Sequence, residues 1–181
     1  MQVWNATLGR YIELVSNPDG ELYATDVHKS FDEGREFRTF FDFAGATSSV
    51  KVIKVVFPCD FVLHLQDFML NDGELKFEAV VGGDEAGSYN VALPKVGVNR
   101  TAERPLPLYE SQASLTTGGT HTNGTVVELV QLKTASATAQ ASTVGGCLHD
   151  LRALPAGTYY LRFTAVAATK GIFSLRWEER V

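Results

Sequence analysis

The sequence predicts an all-β protein, a two-sheet β-sandwich of jelly-roll type with a short N-terminal β-arm. The C-terminal stretch Leu154–Val181 contains two runs in which apolar and polar residues alternate, which is the two-residue period of half-buried strands. Similar strand signals recur about every ten residues from Glu36 onward, separated by Gly, Pro and Asn breakers. A chain of 181 residues fits one such domain with a small appendage.

The two C-terminal runs predict a β-hairpin that closes the domain. Pro155-Ala156-Gly157 forms the entry turn and Lys170-Gly171 the return turn. The residues that share one face are Tyr159, Leu161, Phe163 and Ala165 in the first run, and Phe173, Leu175 and Trp177 in the second. This alternation places Trp177 in the core and not on a ligand-binding surface.

About eight strands are predicted for the main domain. They are Phe37–Phe43, Val50–Phe57, Phe61–Leu70, Glu74–Val81, Leu108–Leu115, Thr125–Thr134, Thr158–Val166 and Gly171–Glu178. The Asn71-Asp72-Gly73 turn predicts a second hairpin, because Gly supplies the positive φ that a tight turn needs.

Three segments of the main domain carry weaker signals. Residues Gly82 to Arg104 predict a long surface loop, since their pattern is irregular. The small polar stretch Thr134 to Gly146 fits either a loop or an edge strand. The only candidate helix is a short turn around Leu148 to Ala153.

Residues 1–33 form a predicted β-meander, which we separate from a main domain at 34–181. Its strand-like pieces are Val3-Trp4, Tyr11–Val15 and Glu21–Tyr23, and residues 26–35 follow as a linker or helical turn. The meander has too little apolar surface to fold alone, so it needs the main domain, another subunit or a host surface. Its candidate partner-binding residues are Trp4, Tyr11, Leu14 and Tyr23.

Composition excludes several classes of function. The net charge of −5 argues against nucleic acid, because phosphate binding requires clustered Lys and Arg. No apolar run approaches the length of a membrane span, and the N-terminus lacks a signal-peptide pattern. We therefore expect cytoplasmic synthesis, no membrane partner, and reduced thiols at Cys59 and Cys147.

Catalytic motifs of the common enzyme classes are absent from the sequence. The nearest approach is Gly118 to Leu129, which resembles the first metal motif of cupins, with His121 and Glu128 as ligands. Asn123 stands where that motif has its second His, and an amide is a poor ligand for a transition metal. We therefore expect His121 to lie at a loop tip beside a hairpin turn, and expect neither a metal nor a cofactor.

Two further clusters have reactive residue types without a supporting motif. Cys147 and His149 lie two residues apart, but no nucleophile-bearing turn accompanies them. The acidic pairs at 72–74 and 84–85 lack the alternating carboxylate spacing of a calcium loop. We expect an incidental thiol and solvated turns, and no enzyme activity.

Several aromatic residues are candidates for stacking on sugar rings or packing against a partner. They are Tyr89, Tyr109, Tyr159 or Tyr160, and Trp177. Most lie in strand patterns, so we expect them in the core.

Two stretches of the chain resemble small virion proteins of tailed bacteriophages. Glu103–Gln140 includes LTTGGTHTNGT, similar to a TGGTHTGGT turn of those proteins, and Leu154–Glu179 includes LPAGTYYLR and WEE, which Arg180 continues to WEER, similar to their terminal hairpin. Phe57–Phe61 and Lys76–Gly83 resemble the same group. The resemblance covers about the last three quarters of the chain and includes no catalytic residue.

The resemblance implies a structural function. We expect a capsid decoration (cement) protein that binds the major capsid protein or other virion proteins, with residues 1–33 adding contacts to the shell. It would be made in the host bacterial cytoplasm, reside in the virion and form a homo-oligomer, a dimer or trimer. The alternative is a neck, tail or head-fibre component with a lectin-like receptor-binding sandwich; a remote one is a cupin-like metal enzyme.

Overall fold

The structure is a computed structural model that describes residues 2–5, 10–16, 22–25, 34–98, 109–134, 141–145 and 152–180. Within these ranges every regular element is a β-strand, so the all-β prediction is confirmed. Most of the predicted linker at 26–35, and the predicted domain boundary at residue 33, lie outside the described residues.

The strands are numbered in chain order. The first three are β1 (Gln2–Asn5), β2 (Arg10–Ser16) and β3 (Leu22–Thr25). They are followed by β4 (Glu36–Gly45), β5 (Val50–Phe57), β6 (Asp60–Asp72), β7 (Glu74–Val81), β8 (Asp84–Ala86), β9 (Val91–Ala92) and β10 (Val96–Gly97). The remainder are β11 (Ser114–Thr117), β12 (Thr120–Thr122), β13 (Thr125–Lys133), β14 (Ala141–Gly145), β15 (Arg152–Leu154), β16 (Gly157–Ala165) and β17 (Thr169–Arg180).

Two six-stranded antiparallel sheets form the sandwich. Sheet I has the order β10-β4-β17-β6-β14, with β15 also paired to β6, and sheet II has the order β13-β7-β16-β5-β11-β9. β1, β2 and β3 make a three-stranded sheet of their own, and β8 pairs with β12 in a two-stranded sheet. Packed antiparallel sheets confirm the sandwich-like architecture that the sequence predicts.

Neither predicted hairpin forms. β16 pairs with β5 and β7, whereas β17 pairs with β4 and β6, so the two C-terminal strands belong to opposite sheets. The turn at Gly73 likewise connects β6 of sheet I to β7 of sheet II. Alternation shows which residues of a strand are buried, but strands that pair and strands that face each other across a core share the same alternation.

These two turns lie against each other at one end of the sandwich. The hydroxyl of Thr169 donates to the carbonyl oxygen of Asp72 at 2.8 Å. Gly73 has a φ of 87°, and a Cβ built there would lie 2.0 Å from the carbonyl oxygen of Ala168. Gly is therefore required both for the backbone conformation and for this close approach.

The strand pairing shows the outcome of four further predictions. The predicted surface loop 82–104 contains β8, β9 and β10, each paired with a strand from elsewhere in the chain. Of the predicted strand 108–115 only the last two residues belong to β11. The 134–146 segment contributes the edge strand β14, and residues 152–153 of the predicted helical turn begin β15 instead.

The core lies between the two sheets and is rich in aromatic residues. Trp177 is 0% exposed, as predicted for a core residue. Phe68 lies 4.7 Å from Phe77 between ring centroids, and Phe163 lies 5.1 Å from Phe173. These rings come from β6, β7, β16 and β17. Each contact therefore joins a strand of sheet I to a strand of sheet II, and aromatic side chains bury a large apolar area per residue.

A buried carboxylate, Glu179, anchors the segment that precedes β11 to the end of β17. The side chain is 0% exposed. Its donors are Tyr109 Oη at 2.8 Å, the backbone N of Gln112 at 2.9 Å, Trp177 Nε1 at 3.1 Å, the backbone N of Ala113 at 3.3 Å, and Ser111 Oγ. Because Gln112 and Ala113 donate to this carboxylate, residues 109–113 do not extend β11 into the long strand that the sequence predicts.

The Glu179 pKa reflects both its burial and its donors. Burial alone would raise the pKa, but the hydrogen bonds from Ser111, Gln112, Trp177 and Tyr109 together hold it below its ordinary value. The native state therefore favours the ionised carboxylate. The corresponding stability is fully present above the unfolded-state pKa and is lost as the pH falls through the lowered native pKa.

We predict that Glu179→Gln lowers the free energy of unfolding at pH 7 by about 2–4 kcal/mol. The amide NH₂ of the glutamine cannot accept hydrogen bonds, so the donors that one carboxylate oxygen bound are left without an acceptor. The difference between wild type and variant should shrink as the pH falls below about 4, because the carboxylate of the unfolded wild-type chain protonates there while the native carboxylate, whose pKa is lowered, stays ionised. Urea unfolding followed by circular dichroism measures both effects.

The matched control is Glu110→Gln, since Glu110 is an exposed glutamate of the same segment. It should change the free energy of unfolding by less than about 0.5 kcal/mol. Equal effects of the two substitutions would contradict the anchoring function of Glu179.

Candidate functional site

His121 lies under the two-stranded sheet that covers the outer face of sheet II. It sits on β12 opposite Glu85 of β8, and it is 5% exposed, so the expected loop-tip position is wrong. Its ring stacks on Tyr160 of β16 at a centroid distance of 3.8 Å and an interplanar angle of 10°. Nε2 lies 2.8 Å from the carbonyl oxygen of Gly82, which fixes the ring orientation.

A chain of polar contacts continues outward from Tyr160. Its hydroxyl donates to Glu85 Oε1, and Lys54 Nζ donates to both oxygens of Glu85 at 2.7 and 2.8 Å. The Lys54 bond, followed by the Tyr160 bond, lowers the Glu85 pKa, while burial and then the Glu85 bond raise the Tyr160 pKa. A neutral phenol and an ionised carboxylate thus hold β8 and β12 on sheet II.

The structure separates the residues of the cupin-like motif. Glu128 Oε1 accepts from Gln66 Nε2 at 2.9 Å, and Glu128 Oε2 pairs with Arg152 at 2.8 Å. Asn123 donates to Asp84 at 2.6 Å, and His121 contacts neither Glu128 nor Asn123 in any of these bonds. Among the residues with described positions, no group of three or more His, Cys, Asp or Glu side chains is placed to hold a metal ion.

The other reactive residues have ordinary environments. Cys59 is a half-buried free thiol whose pKa is raised by burial and then by Glu179, which disfavours the nucleophilic thiolate. Cys147 and His149 lie outside the described residues. Of the acidic turns, Glu74 pairs with Lys133 at 3.0 Å and Glu85 with Lys54 at 2.7 Å.

The candidate stacking aromatics serve mainly as structural residues. Trp177 and Tyr160 are buried. The hydroxyls of the three half-buried tyrosines are bound inside the protein: Tyr89 donates to Thr120 O, Tyr109 to Glu179 and Tyr159 to Pro155 O. The expected core position is confirmed for Trp177, whereas Tyr160 is buried in a separate cluster with Val52 and Val80.

A cavity of about 130 Å³ lies between the sheets. Its walls are apolar and include Phe57, Leu63, Leu161 and Leu175, and the Gln66–Glu128–Arg152 contacts lie at its polar side. A space of this size holds a group about as large as a benzene ring. Both oxygens of the Glu128 carboxylate are bound by protein groups, one by Gln66 and the other by Arg152.

The outer face of sheet I carries the largest set of exposed apolar side chains on adjacent strands. Phe40 on β4, Met69 on β6 and Ile172 on β17 are 46%, 40% and 39% exposed. The register places Ile172 directly opposite Met69, and Ser174 between Phe40 and Asp67. These apolar residues therefore form one diagonal band across three strands.

Charged residues flank this band. Arg176 of β17 lies opposite Arg38 of β4 on one side and opposite Leu65 of β6 on the other. These three residues form the row next to the one that contains Phe40. Arg38 and Arg176 line a depression of about 230 Å³ together with Phe40, Leu65 and Ser174. Asp67 is half-buried, and its Oδ1 has no hydrogen-bond partner among the described residues, a state that costs free energy unless a donor is supplied.

The predicted partner-binding residues lie on the separate N-terminal sheet. Trp4 of β1 pairs with Tyr11 of β2, and Tyr23 of β3 pairs with Val15. Leu14 pairs with Ala24. Because alternate residues of a strand belong to opposite faces, Leu14 and Tyr11 belong to opposite faces of this sheet.

Sequence reasoning missed Glu179 and the outer face of sheet I. The sequence did contain a signal for the outer face of sheet I, namely the pair Phe40-Phe41, since two adjacent strand residues cannot both face one core. Phe41 packs on Phe163 inside, which leaves Phe40 outside. Glu179 carried no comparable signal, because its donors at 109–113 are distant in sequence.

Comparison with protein-family models, curated proteins and solved structures found no match to this chain. A search of the described residues for a helix long and apolar enough to cross a membrane also found none.

We predict that Tyr160→Phe loosens β8 and β12 without unfolding the sandwich, because it removes the bond to Glu85 and keeps the ring beneath His121. Amide exchange of residues 84–86 and 120–122 should accelerate about fivefold, equivalent to about 1 kcal/mol. Hydrogen-exchange mass spectrometry measures this.

Tyr159→Phe is the matched control, because the Tyr159 hydroxyl donates to Pro155 O and contacts neither strand. It should leave exchange of the same peptides unchanged. Identical exchange of these peptides in both variants would show that the Tyr160–Glu85 bond does not hold the two strands.

Proposed function

We propose that this chain is a jelly-roll structural protein of a tailed-bacteriophage virion, a decoration protein that binds and stabilises the head shell. The observation that carries the proposal is the strand order. Four strands of sheet I run β4-β17-β6-β14 and four of sheet II run β13-β7-β16-β5. We number these eight strands first to eighth along the chain. Sheet I then contains the first, eighth, third and sixth strands, and sheet II contains the fifth, fourth, seventh and second. This order matches that of an eight-stranded jelly roll.

Three functional classes share the jelly roll: capsid proteins, lectins and cupins. A cupin needs its metal ligands together, and His121 and Glu128 bind different partners here. Of the aromatic residues considered for sugar stacking, Trp177 and Tyr160 are buried and offer no ring to a sugar. The resemblance of the 103–140 and 154–179 stretches to phage virion proteins favours the structural class.

The N-terminal sheet is the proposed contact with the shell. β1, β2 and β3 pair only with one another within the described part of the chain, and a three-stranded sheet this short needs a supporting surface. We assign it as an arm spanning residues 1–33 that binds the major capsid protein through Trp4, Tyr11, Leu14 and Tyr23, with the sandwich as domain 34–181. Many identical copies on a symmetric lattice would add weak contacts through multivalency.

We predict that the full chain co-purifies with virions at a fixed ratio to the major capsid protein, measured by quantitative mass spectrometry of purified particles. Absence from the particles would contradict a virion function. A glycan array with strong, reproducible binding would instead favour the receptor-binding alternative.

We also predict that Trp4→Ala combined with Tyr11→Ala lowers the affinity for purified shells lacking the protein by at least about tenfold, as expected for aromatic interface anchors. Co-sedimentation measures the affinity. Lys51→Ala, an exposed substitution on β5, is the control and should bind as the wild type does. Equal binding by all three proteins would contradict the arm assignment.

A further inference from the structure

We propose that the outer face of sheet I is a homodimer interface, in which two copies of this chain pack face to face around a two-fold axis through Ser174. The occupant of the face is a second copy because the face is complementary to itself in both apolar and charged groups. The proposal concerns the purified chain alone, so it stands or fails independently of the virion function.

The apolar part of the argument is the band of Phe40, Ile172 and Met69. Each side chain is 39–46% exposed, and together they cross three adjacent strands. Strands β4 and β17, of 10 and 12 residues, give a face about 34 Å long and about 20 Å wide. That area, about 700 Å², is close to the roughly 800 Å² that each partner buries in a stable interface.

Two of the charged residues of this face are available for a partner. Arg176 is bound to Glu36 of the same chain. Arg38 and Asp67 have no ion pair within the described residues. Arg38 lines the depression on this face, so a carboxylate that entered it would meet an unused guanidinium.

A two-fold axis brings the complementary groups together. Outward residues are spaced about 6.8 Å along a strand and about 4.8 Å between strands. On this grid, an axis along the diagonal from Asp42 through Ser174 to Leu65 places Phe40 against the partner's Ile172. It also brings Asp67 into the depression between the partner's Arg176 and the partner's Arg38, of which Arg38 is the one without an ion pair in its own chain, and the reciprocal contact forms at the same time.

The resulting packing belongs to a known class. The strands of the two copies cross steeply, as in orthogonal sheet packing. Asp42, which is exposed, lies at the rim of this arrangement, where water and salt screen the two carboxylates from each other. The interface therefore has apolar contacts beside its centre and two reciprocal Arg38–Asp67 pairs.

The oligomeric state of the full chain tests the proposal. Sedimentation equilibrium should show a dimer for the wild type and a monomer for Phe40→Glu, with unchanged far-ultraviolet circular dichroism. Val50→Glu, at a similarly exposed valine outside this face, is the matched control and should remain dimeric. A monomeric wild type at about 100 μM, or a dimer unaffected by Phe40→Glu, would overturn the proposal.

Charge reversal tests the axis itself. Arg38→Glu and Asp67→Lys should each weaken self-association at least tenfold, because each homodimer then has like charges opposed. Mixing the two variants should restore a dimer, since every cross-pair then joins opposite charges. Failure of the folded variants to form a mixed dimer would overturn the assigned pairing.

A covalent variant keeps the test decisive if Asp67→Lys does not fold. Ser174→Cys, in a background with Cys59→Ser and Cys147→Ser, places one thiol of each copy next to the axis. Mild oxidation should give a disulfide-linked dimer. Lys51→Cys in the same background is the control and should stay monomeric on a non-reducing gel; equal cross-linking of both, or of neither, would contradict the axis.

Discussion

The core shared by the two sheets is the constraint on which the rest of this structure depends. Four central strands, β6, β7, β16 and β17, contribute phenylalanine rings that contact one another across the sandwich. These rings meet because β6 and β7, and likewise β16 and β17, lie in opposite sheets, with the turns at Gly73 and at residues 166–168 passing between the sheets. Each strand then pairs with strands distant in sequence, and this produces the observed strand order.

The same constraint explains where sequence-based prediction succeeds and fails. Alternation identified most of the long strands to within a few residues, because the inward positions of Phe173, Leu175 and Trp177 are visible in the sequence. It did not identify their neighbours, since a hairpin and a turn between facing sheets have the same pattern. Both predicted hairpins were wrong for this reason.

The candidate sites show a related limit. His121 was noticed for its residue type, but its burial against Tyr160 depends on β8 and β12 folding over sheet II. Glu179 was overlooked because a glutamate near the end of a strand resembles an exposed polar position. Its five donors come largely from residues 109–113, which the sequence assigned to a regular strand, and only the tertiary fold brings them to the carboxylate.

The protein thus combines an aromatic core with an outer face of sheet I on which Phe40, Met69 and Ile172 are exposed. A fold of this kind serves several functional classes, so function follows from surfaces and not from the strand order alone. We propose the outer face of sheet I as the contact with a second copy and the N-terminal sheet as the contact with the head shell.

The central claim is that β16 and β17 lie in opposite sheets. Backbone nuclear Overhauser effects in the isotope-labelled full chain test this most directly. The account predicts cross-strand contacts from Ser174 to both Phe40 and Asp67, and from Leu161 to both Ile53 and Ala79. A continuous ladder of backbone contacts between residues 157–165 and 169–180 would show a terminal hairpin and contradict the account.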